Sequence, residues 1–266
     1  PALGLVGLVG ATRHHEVLAC GLGVDSTCLL AMHLERDATC EYLGIDRATL
    51  DMHLPDYEAA VFSDPGNEWP HTYANLDYTL DRCEKAGFNF VVVRNEQAGP
   101  IADAHIKTGS LPFFNGGAHI CSQKWKVMPQ QEWAKETYGD DLLAWSIGYA
   151  ADEEKRFCKY KAKEIDDGEN ITRMPLMDLG ITRVMESAIL RHLEWLPNGE
   201  EVKFSACVFC PYNTAEDLDF MQTTYPEVWD LLHEMEEAFA VESARKHRAW
   251  VDAGHPLNGR CKTTLE

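Results

Sequence analysis

The stretch Glu16-Val17-Leu18-Ala19-Cys20-Gly21-Leu22-Gly23-Val24-Asp25-Ser26-Thr27 constrains the fold of this chain more than any other. A short apolar run stops at Gly-x-Gly, and Asp-Ser-Thr then opens an amphipathic helix carrying Leu29, Leu30, His33 and Leu34. A strand, a tight turn and a helix N-terminus in succession make an anion site, because backbone N–H groups and the positive end of the helix dipole face one point. Ser26 and Thr27 add hydroxyl donors. A plain structural turn is the competing reading.

The same alternation continues downstream. Val17–Cys20, Ala59–Ser63, Phe88–Val93 and Leu142–Tyr149 read as strands, and Ser26–Arg36, Pro70–Ala86 and Gln123–Tyr138 as helices. Pro70 at the start and Gly87 at the end suit helix boundaries. Continuous apolar strands separated by helices predict a parallel sheet covered on both faces, with ligands at the carboxyl ends of its strands. Residues 97–120 read as a loop, a candidate lid. Beyond about residue 158 the alternation fades into helical segments at Thr182–Leu193, Ala215–Met221 and Glu227–Trp250. The expected fold is thus α/β, a doubly wound parallel sheet over 1–157 with a mostly helical, cysteine-containing lobe over 158–266.

Composition narrows the class. With 266 residues, 45% of them hydrophobic, the chain has the make-up of a soluble globular protein. The opening PALGLVGLVG is too short to span a bilayer and follows no basic segment, so it reads as a packed arm of a cytoplasmic protein without membrane contact. A net charge of −19 disfavours unaided binding to a nucleic-acid backbone, which needs lysine and arginine. Nine cysteines, an odd number without an export signal, argue against a disulfide framework. Cys28, Cys40 and Cys83 read as buried small hydrophobes.

Later strand ends carry polar signatures of their own. Phe62-Ser63-Asp64-Pro65-Gly66-Asn67-Glu68 puts a turn and an acidic residue before a helix, suited to a nucleotide or to simple capping. Cys121-Ser122-Gln123-Lys124-Trp125-Lys126 brings lysines to a helix start, as phosphate ligands or as solvated residues. After the fourth strand, Ile147-Gly148-Tyr149 leads to Arg156, and arginine suits bidentate phosphate binding. Cys207-Val208-Phe209-Cys210-Pro211 is a CxxC turn, readable as a redox pair, a metal site or a bare turn.

In order, these segments resemble the PP-loop ATP pyrophosphatase superfamily, and within it the phosphoadenosine-phosphosulfate (PAPS) reductase-like branch. Gly21–Ser26 is similar to S-G-G-x-D-S, with Gly21 and Leu22 in place of Ser and Gly. Phe62–Tyr73 is similar to a segment beginning F-x-D-T-G and ending T-Y, with Pro65 for Thr, and Cys121–Pro129 to C-C-x-x-x-K-V-x-P, with Ser122 on the second cysteine. The segment from Ile147 to Arg156 looks like G-[IY]-R-x-x-E-S-x-x-R, with Tyr149 near its first arginine. The resemblance spans residues 17–211 and implies an adenine nucleotide alpha hydrolase-like, Rossmann-like fold using ATP and Mg²⁺. Gly21, Leu22, Gly23, Val24, Asp25, Ser26, Thr27, Asp64 and Gly148 would contact the nucleotide. Asp25, Lys126 and Arg156 would be catalytic, Asp25 positioning Mg²⁺ and the other two neutralising phosphate. A [4Fe–4S] cluster on Cys121, Cys207 and Cys210 is also implied, open at one iron. Cys158 closing the set would give a structural zinc site or a fully ligated cluster instead, and metal-free thiols are the third reading.

The implied activity is that of an ATP pyrophosphatase and sulfurtransferase, similar to the enzymes of DNA phosphorothioation and tRNA thiolation. An acceptor oxygen is adenylylated with release of pyrophosphate, and sulfur then displaces AMP. The implied partners are a sulfur donor such as a cysteine desulfurase and a nucleic-acid acceptor delivered by other proteins. The tail Gly259-Arg260-Cys261-Lys262 lacks the E-C-G-[IL]-H motif of true PAPS reductases. A sulfonucleotide reductase with Cys261 as nucleophile is the first alternative, and a non-catalytic nucleotide-binding subunit the second.

Overall fold

The computed structural model describes residues 14–112, 120–153 and 171–254. The apolar arm at 1–10, the expected domain boundary at 157, Arg156, Cys158 and Cys261 lie outside the described residues. Two compact units emerge, and no single cut in the chain separates them. Pro1–Phe62, Asn75–Val91 and Trp133–Lys203 form the first unit, and Ser63–Ala74, Val92–Glu132 and Phe204–Glu266 the second.

A five-stranded sheet in the order β3-β2-β1-β4-β5 organises the first unit. Its strands are β1 (His15–Ala19), β2 (Ala59–Ser63), β3 (Phe90–Val93), β4 (Leu143–Ile147) and β5 (Ile171–Arg173). β1 pairs in parallel with both β2 and β4, and β4 with β5. Bonds from Ala60 N–H to the Asn89 carbonyl and from Asp64 N–H to the Val93 carbonyl advance in step along both chains, so β3 is parallel as well. The doubly wound parallel sheet is therefore present. β2, flanked on both edges, is buried along its whole length, as its unbroken apolar run requires. β3 is an edge strand and only half-buried, so its apolar run Phe88–Val93 overstated how fully it would be covered. Three-residue β5 carries no periodicity long enough to be read in advance.

Among the described residues the α-helices are α1 (Val24–Leu34), α2 (Arg36–Leu43), α3 (Arg47–His53), α4 (Pro70–Ala86), α5 (Ile101–Thr108), α6 (Ile120–Ser122), α7 (Met128–Tyr138), α8 (Pro175–Asp178), α9 (Arg183–His192), α10 (Ala215–Thr224) and α11 (Pro226–Asp252). Two expectations need correction. The supposed loop 97–120 contains α5, which starts after Pro100, buries Ile101 and Ala102, and ends at left-handed Gly109. A Cβ on Gly109 would overlap the Glu242 side chain of α11, so this close packing requires glycine. The helix expected over Gln123–Tyr138 begins earlier, at Ile120, and passes through a π-turn at Gln123–Val127 before continuing as α7.

Strand order reverses between β1 and β4, which places the topological switch point of the first unit at their carboxyl ends. The second unit packs around Trp69, Ile101, Trp125, Val208, Phe209, Met221 and Met235. Among the described residues no helix is long and apolar enough to cross a membrane.

Candidate functional site

At the switch point, β1 gives way to the turn Cys20–Gly23, and α1 starts with Gly23 as its N-cap. Gly23 supplies no side-chain cap, which leaves the first-turn N–H groups to other acceptors. Ser26 Oγ accepts from Gly21 N–H at 3.1 Å and closes the loop into a concave turn. Leu22 stands in the left-handed region at φ 61° with its side chain fully buried. That conformation costs a branched side chain about 1–2 kcal/mol. Two anchors hold it there: the buried side chain, and Asn75 Nδ2, which donates to the Leu22 carbonyl at 2.8 Å and to Thr27 Oγ1 at 3.1 Å. Gly148, just past β4, lies against the same turn. A Cβ there would stand 2.6 Å from Asp25 Cβ and 2.9 Å from Ser26 N. Only glycine keeps the first turn of α1 approachable from that side.

Asp25 does not stand alone. The Arg183 guanidinium of α9 grips both its oxygens, one at 3.2 Å, and lies 3.5 Å from Glu153 and 3.5 Å from Glu186. Glu186 is fully buried beside Asp25 and Arg183. Burial, reinforced by the charge of Asp25, pushes its carboxyl up to about 9. This shift favours the neutral acid beside the Asp25–Arg183 pair. The first unit thus brings together Gly21, Leu22, Gly23, Val24, Asp25, Ser26, Thr27 and Gly148, and adds Arg183, Glu153, Glu186 and Asn75.

Asp64, Lys126, Cys121, Cys207 and Cys210 belong to the second unit. Asp64 has its lone pairs filled. It accepts from Gly66 N–H at 2.8 Å, from Tyr73 O–H at 2.9 Å and from Arg94 Nε at 2.9 Å. It shapes the loop that carries Glu68. Gly66, at φ 84°, meets Pro100 where a Cβ would be, which fixes glycine at that corner.

Backbone pairing then sets Glu68 against the CxxC turn. Trp69 N–H donates to the Ala206 carbonyl and Val208 N–H to the Asn67 carbonyl, making Glu68 and Cys207 partners in an antiparallel bridge. Val208 and Phe209 anchor the turn in the apolar cluster, and Cys210 N–H closes it on the Cys207 carbonyl at 3.0 Å. Cys121 rides on α6 and packs on the same cluster. The π-turn leaves carbonyls without helical donors, and side chains fill them. Asn95 Nδ2 donates to Lys124 O, and Ser63 Oγ to Trp125 O.

Lys126, expected to face phosphate, instead binds Glu68 Oε1 at 2.6 Å. Burial alone would lower its pKa, but the Glu68 carboxylate and the Cys207 and Cys210 sulfurs reverse that and raise it. Burial pushes the Cys207 thiol up to about 12, against the pull of Lys126. Cys121 is raised too, by burial and then by Cys210. Three thiols, one carboxylate and one ammonium therefore share a single electrostatic neighbourhood. Among the described residues no three His, Cys, Asp or Glu side chains stand as a formed metal site. Beside them, the buried Glu68 Oε2 has no hydrogen-bond partner.

No protein-family profile matches the chain. No curated protein matches it either. Among solved structures the chain is similar to the U34-tRNA thiolase NcsA from Methanococcus maripaludis with its [4Fe–4S] cluster. The two share 14% identity over 86% of this chain and 74% of that one, with a TM-score of 0.44.

Sequence reasoning missed Arg183 and Glu186. Their only local signal is Thr182-Arg183-Val-Met-Glu186, an ordinary helix start. Glu68 was visible as an acidic residue after a turn, but its meeting with Cys207 depends on a pairing 139 residues apart.

Proposed function

We propose that the chain is an ATP pyrophosphatase that activates an acceptor oxygen for replacement by sulfur, in nucleic-acid modification of the phosphorothioation or thiolation type. One observation carries this reading: an uncapped helix N-terminus at the switch point of a parallel sheet, kept open by Gly148. Such a cradle binds pyrophosphate through backbone N–H groups. Asp25 and Arg183 are the charged groups beside it, and Mg²⁺ reaches Asp25 only by exchange with the guanidinium.

The chemistry balances without net oxidation. The acceptor oxygen attacks the α-phosphorus of ATP, and pyrophosphate leaves with the bonding pair. Hydrosulfide then forms a bond to the acceptor atom as AMP departs with the oxygen. A persulfide donor would require two further electrons from a thiol reductant. Cys121, Cys207 and Cys210 are the residues that would hold a [4Fe–4S] cluster, which when bound supplies an iron position open to a soft sulfur ligand. The sulfur source is a desulfurase-type donor, and an acceptor brought by a partner protein accommodates the net charge of −19.

Incubation with ATP, Mg²⁺, hydrosulfide and unmodified tRNA or DNA is expected to yield AMP and pyrophosphate. Release of ADP and phosphate, or sulfite production from a sulfonucleotide, would overturn the proposal.

A further inference from the structure

We infer that Asn75 is the positioning residue of the loop at 21–26: by holding the Leu22 carbonyl, its carboxamide aims the Gly23 N–H at pyrophosphate. This rests on the reading above that the loop is a pyrophosphate cradle. Asn75 stands on α4 and is 3% exposed. Its Nδ2 donates to the Leu22 carbonyl at 2.8 Å and to Thr27 Oγ1 at 3.1 Å, and its Oδ1 accepts from Thr79 Oγ1 at 3.4 Å. Thr27 and Thr79 are fully buried, so this network lies on the core side of the loop.

The partners fix which way the carboxamide points. A carbonyl only accepts, so the Nδ2 end must face Leu22. Both Nδ2 hydrogens are then spent on the loop and the start of α1. Aspartate has the same shape but no N–H, and a hydroxyl has a single hydrogen to give. The position therefore calls for asparagine.

The consequence lies on the far side of the same peptide. The Leu22–Gly23 peptide is trans and planar, so its C=O and N–H point in opposite directions. With the carbonyl drawn towards buried Asn75, the Gly23 N–H faces away from the core. Among the described residues none accepts from it. Gly21 N–H differs, because Ser26 Oγ already takes it. Gly23 thus presents an open donor at the positive end of the α1 dipole. The left-handed Leu22 makes the grip necessary. Glycine adopts that conformation freely, whereas leucine gains by returning to negative φ, which would swing the carbonyl and the N–H behind it out of line.

The test uses the full chain labelled with ¹⁵N-glycine and titrated with inorganic pyrophosphate. The Gly21 and Gly23 amide signals are followed, and affinity is measured by calorimetry. In the wild type the Gly23 signal is expected to move to saturation, and the Gly21 signal to move less. Asn75→Leu keeps the volume but removes both donors, and should bind pyrophosphate about ten- to a hundredfold more weakly with the Gly23 shift lost. Thr79→Val removes a neighbouring buried bond without touching Leu22, and should lower thermal stability yet keep the affinity within about twofold. An equal loss of affinity in Thr79→Val would make Asn75 a structural residue only and overturn the inference. Wild-type affinity and Gly23 shift in Asn75→Leu would overturn it too. So would wild-type protein that binds pyrophosphate with an unmoved Gly23 signal, a result that stands even where Asn75→Leu does not fold. Wild-type protein that does not bind pyrophosphate would overturn the cradle reading and this inference with it.

Discussion

The two units each surround a buried carboxyl with charge, and they settle that charge in opposite ways. In the first, Glu186 shares Arg183 with Asp25 and Glu153, and burial raises its pKa towards the neutral form. In the second, Glu68 has Lys126 to itself at 2.6 Å. Supply of cations makes the difference: three carboxyls to one guanidinium in the one case, one carboxylate to one ammonium in the other. The scaffolds differ too. The first site hangs on the carboxyl ends of β1 and β4, whereas the second is stitched from loops by a backbone bridge over an apolar cluster. Parallel strands position backbone groups well, which suits an anion. Bridged loops bring side chains distant in sequence together.

The sharpest way to break this contrast is to remove each cation. Lys126→Met strands a buried carboxylate and is expected to cost about 3–5 kcal/mol in the unfolding free energy of metal-free protein. Arg183→Met should cost less, since burial already favours the neutral form of Glu186, while lowering ATP-dependent AMP release by about a hundredfold. Equal losses of stability in urea melts would erase the distinction.

Backbone substitutions test the strand-end site next. Gly148→Ala overpacks Asp25 and Ser26 and is expected to cost about 1–3 kcal/mol, with weaker ATP binding by calorimetry. Leu22→Gly relieves a left-handed leucine but empties a buried site. Because a buried leucine truncation costs about 2–5 kcal/mol and the strain about 1–2, a net loss of about 1–3 kcal/mol is expected.

A pH series reads Glu186 directly. Its folded pKa lies above the value of an unfolded glutamate, so its contribution is complete at low pH and declines as pH rises towards about 9. Glu186→Gln should flatten that decline in thermal melts between pH 5 and 9 (order-of-magnitude bounds). An unchanged slope would mean that the carboxyl is not held neutral. The smallest effect belongs to the exposed Lys85–Asp81 pair, where Lys85→Ala should change stability by less than about 0.5 kcal/mol.

Much of the sheet unit was legible because it is written locally. The bounds of β2 and α4 match their readings at both ends, since an apolar run between turns and a Pro-to-Gly helix are self-contained signals. Ser26 and Gly148 likewise announced themselves at strand ends. α5 was hidden by the glycine- and proline-rich residues around it, although Ile101, Ala102 and Ile106 share one face. Arg183 and the Glu68–Cys207 bridge were not legible at all. Each depends on a contact more than 130 residues long, which no local pattern encodes.

The π-turn at Gln123–Val127 gives the thiol site a phase. It amounts to one residue more than a continuous α-helix would hold, and each residue turns the helix by about 100°. Deleting Gln123, an exposed member of the turn, would restore regular helical pitch while sparing buried Trp125 and the Lys126–Glu68 pair. Everything on its N-terminal side would rotate by that angle, and Cys121 would leave the company of Cys207 and Cys210. The cysteines are thus brought into register by a miscount in the winding, and a shift of one position is enough to put them out of step.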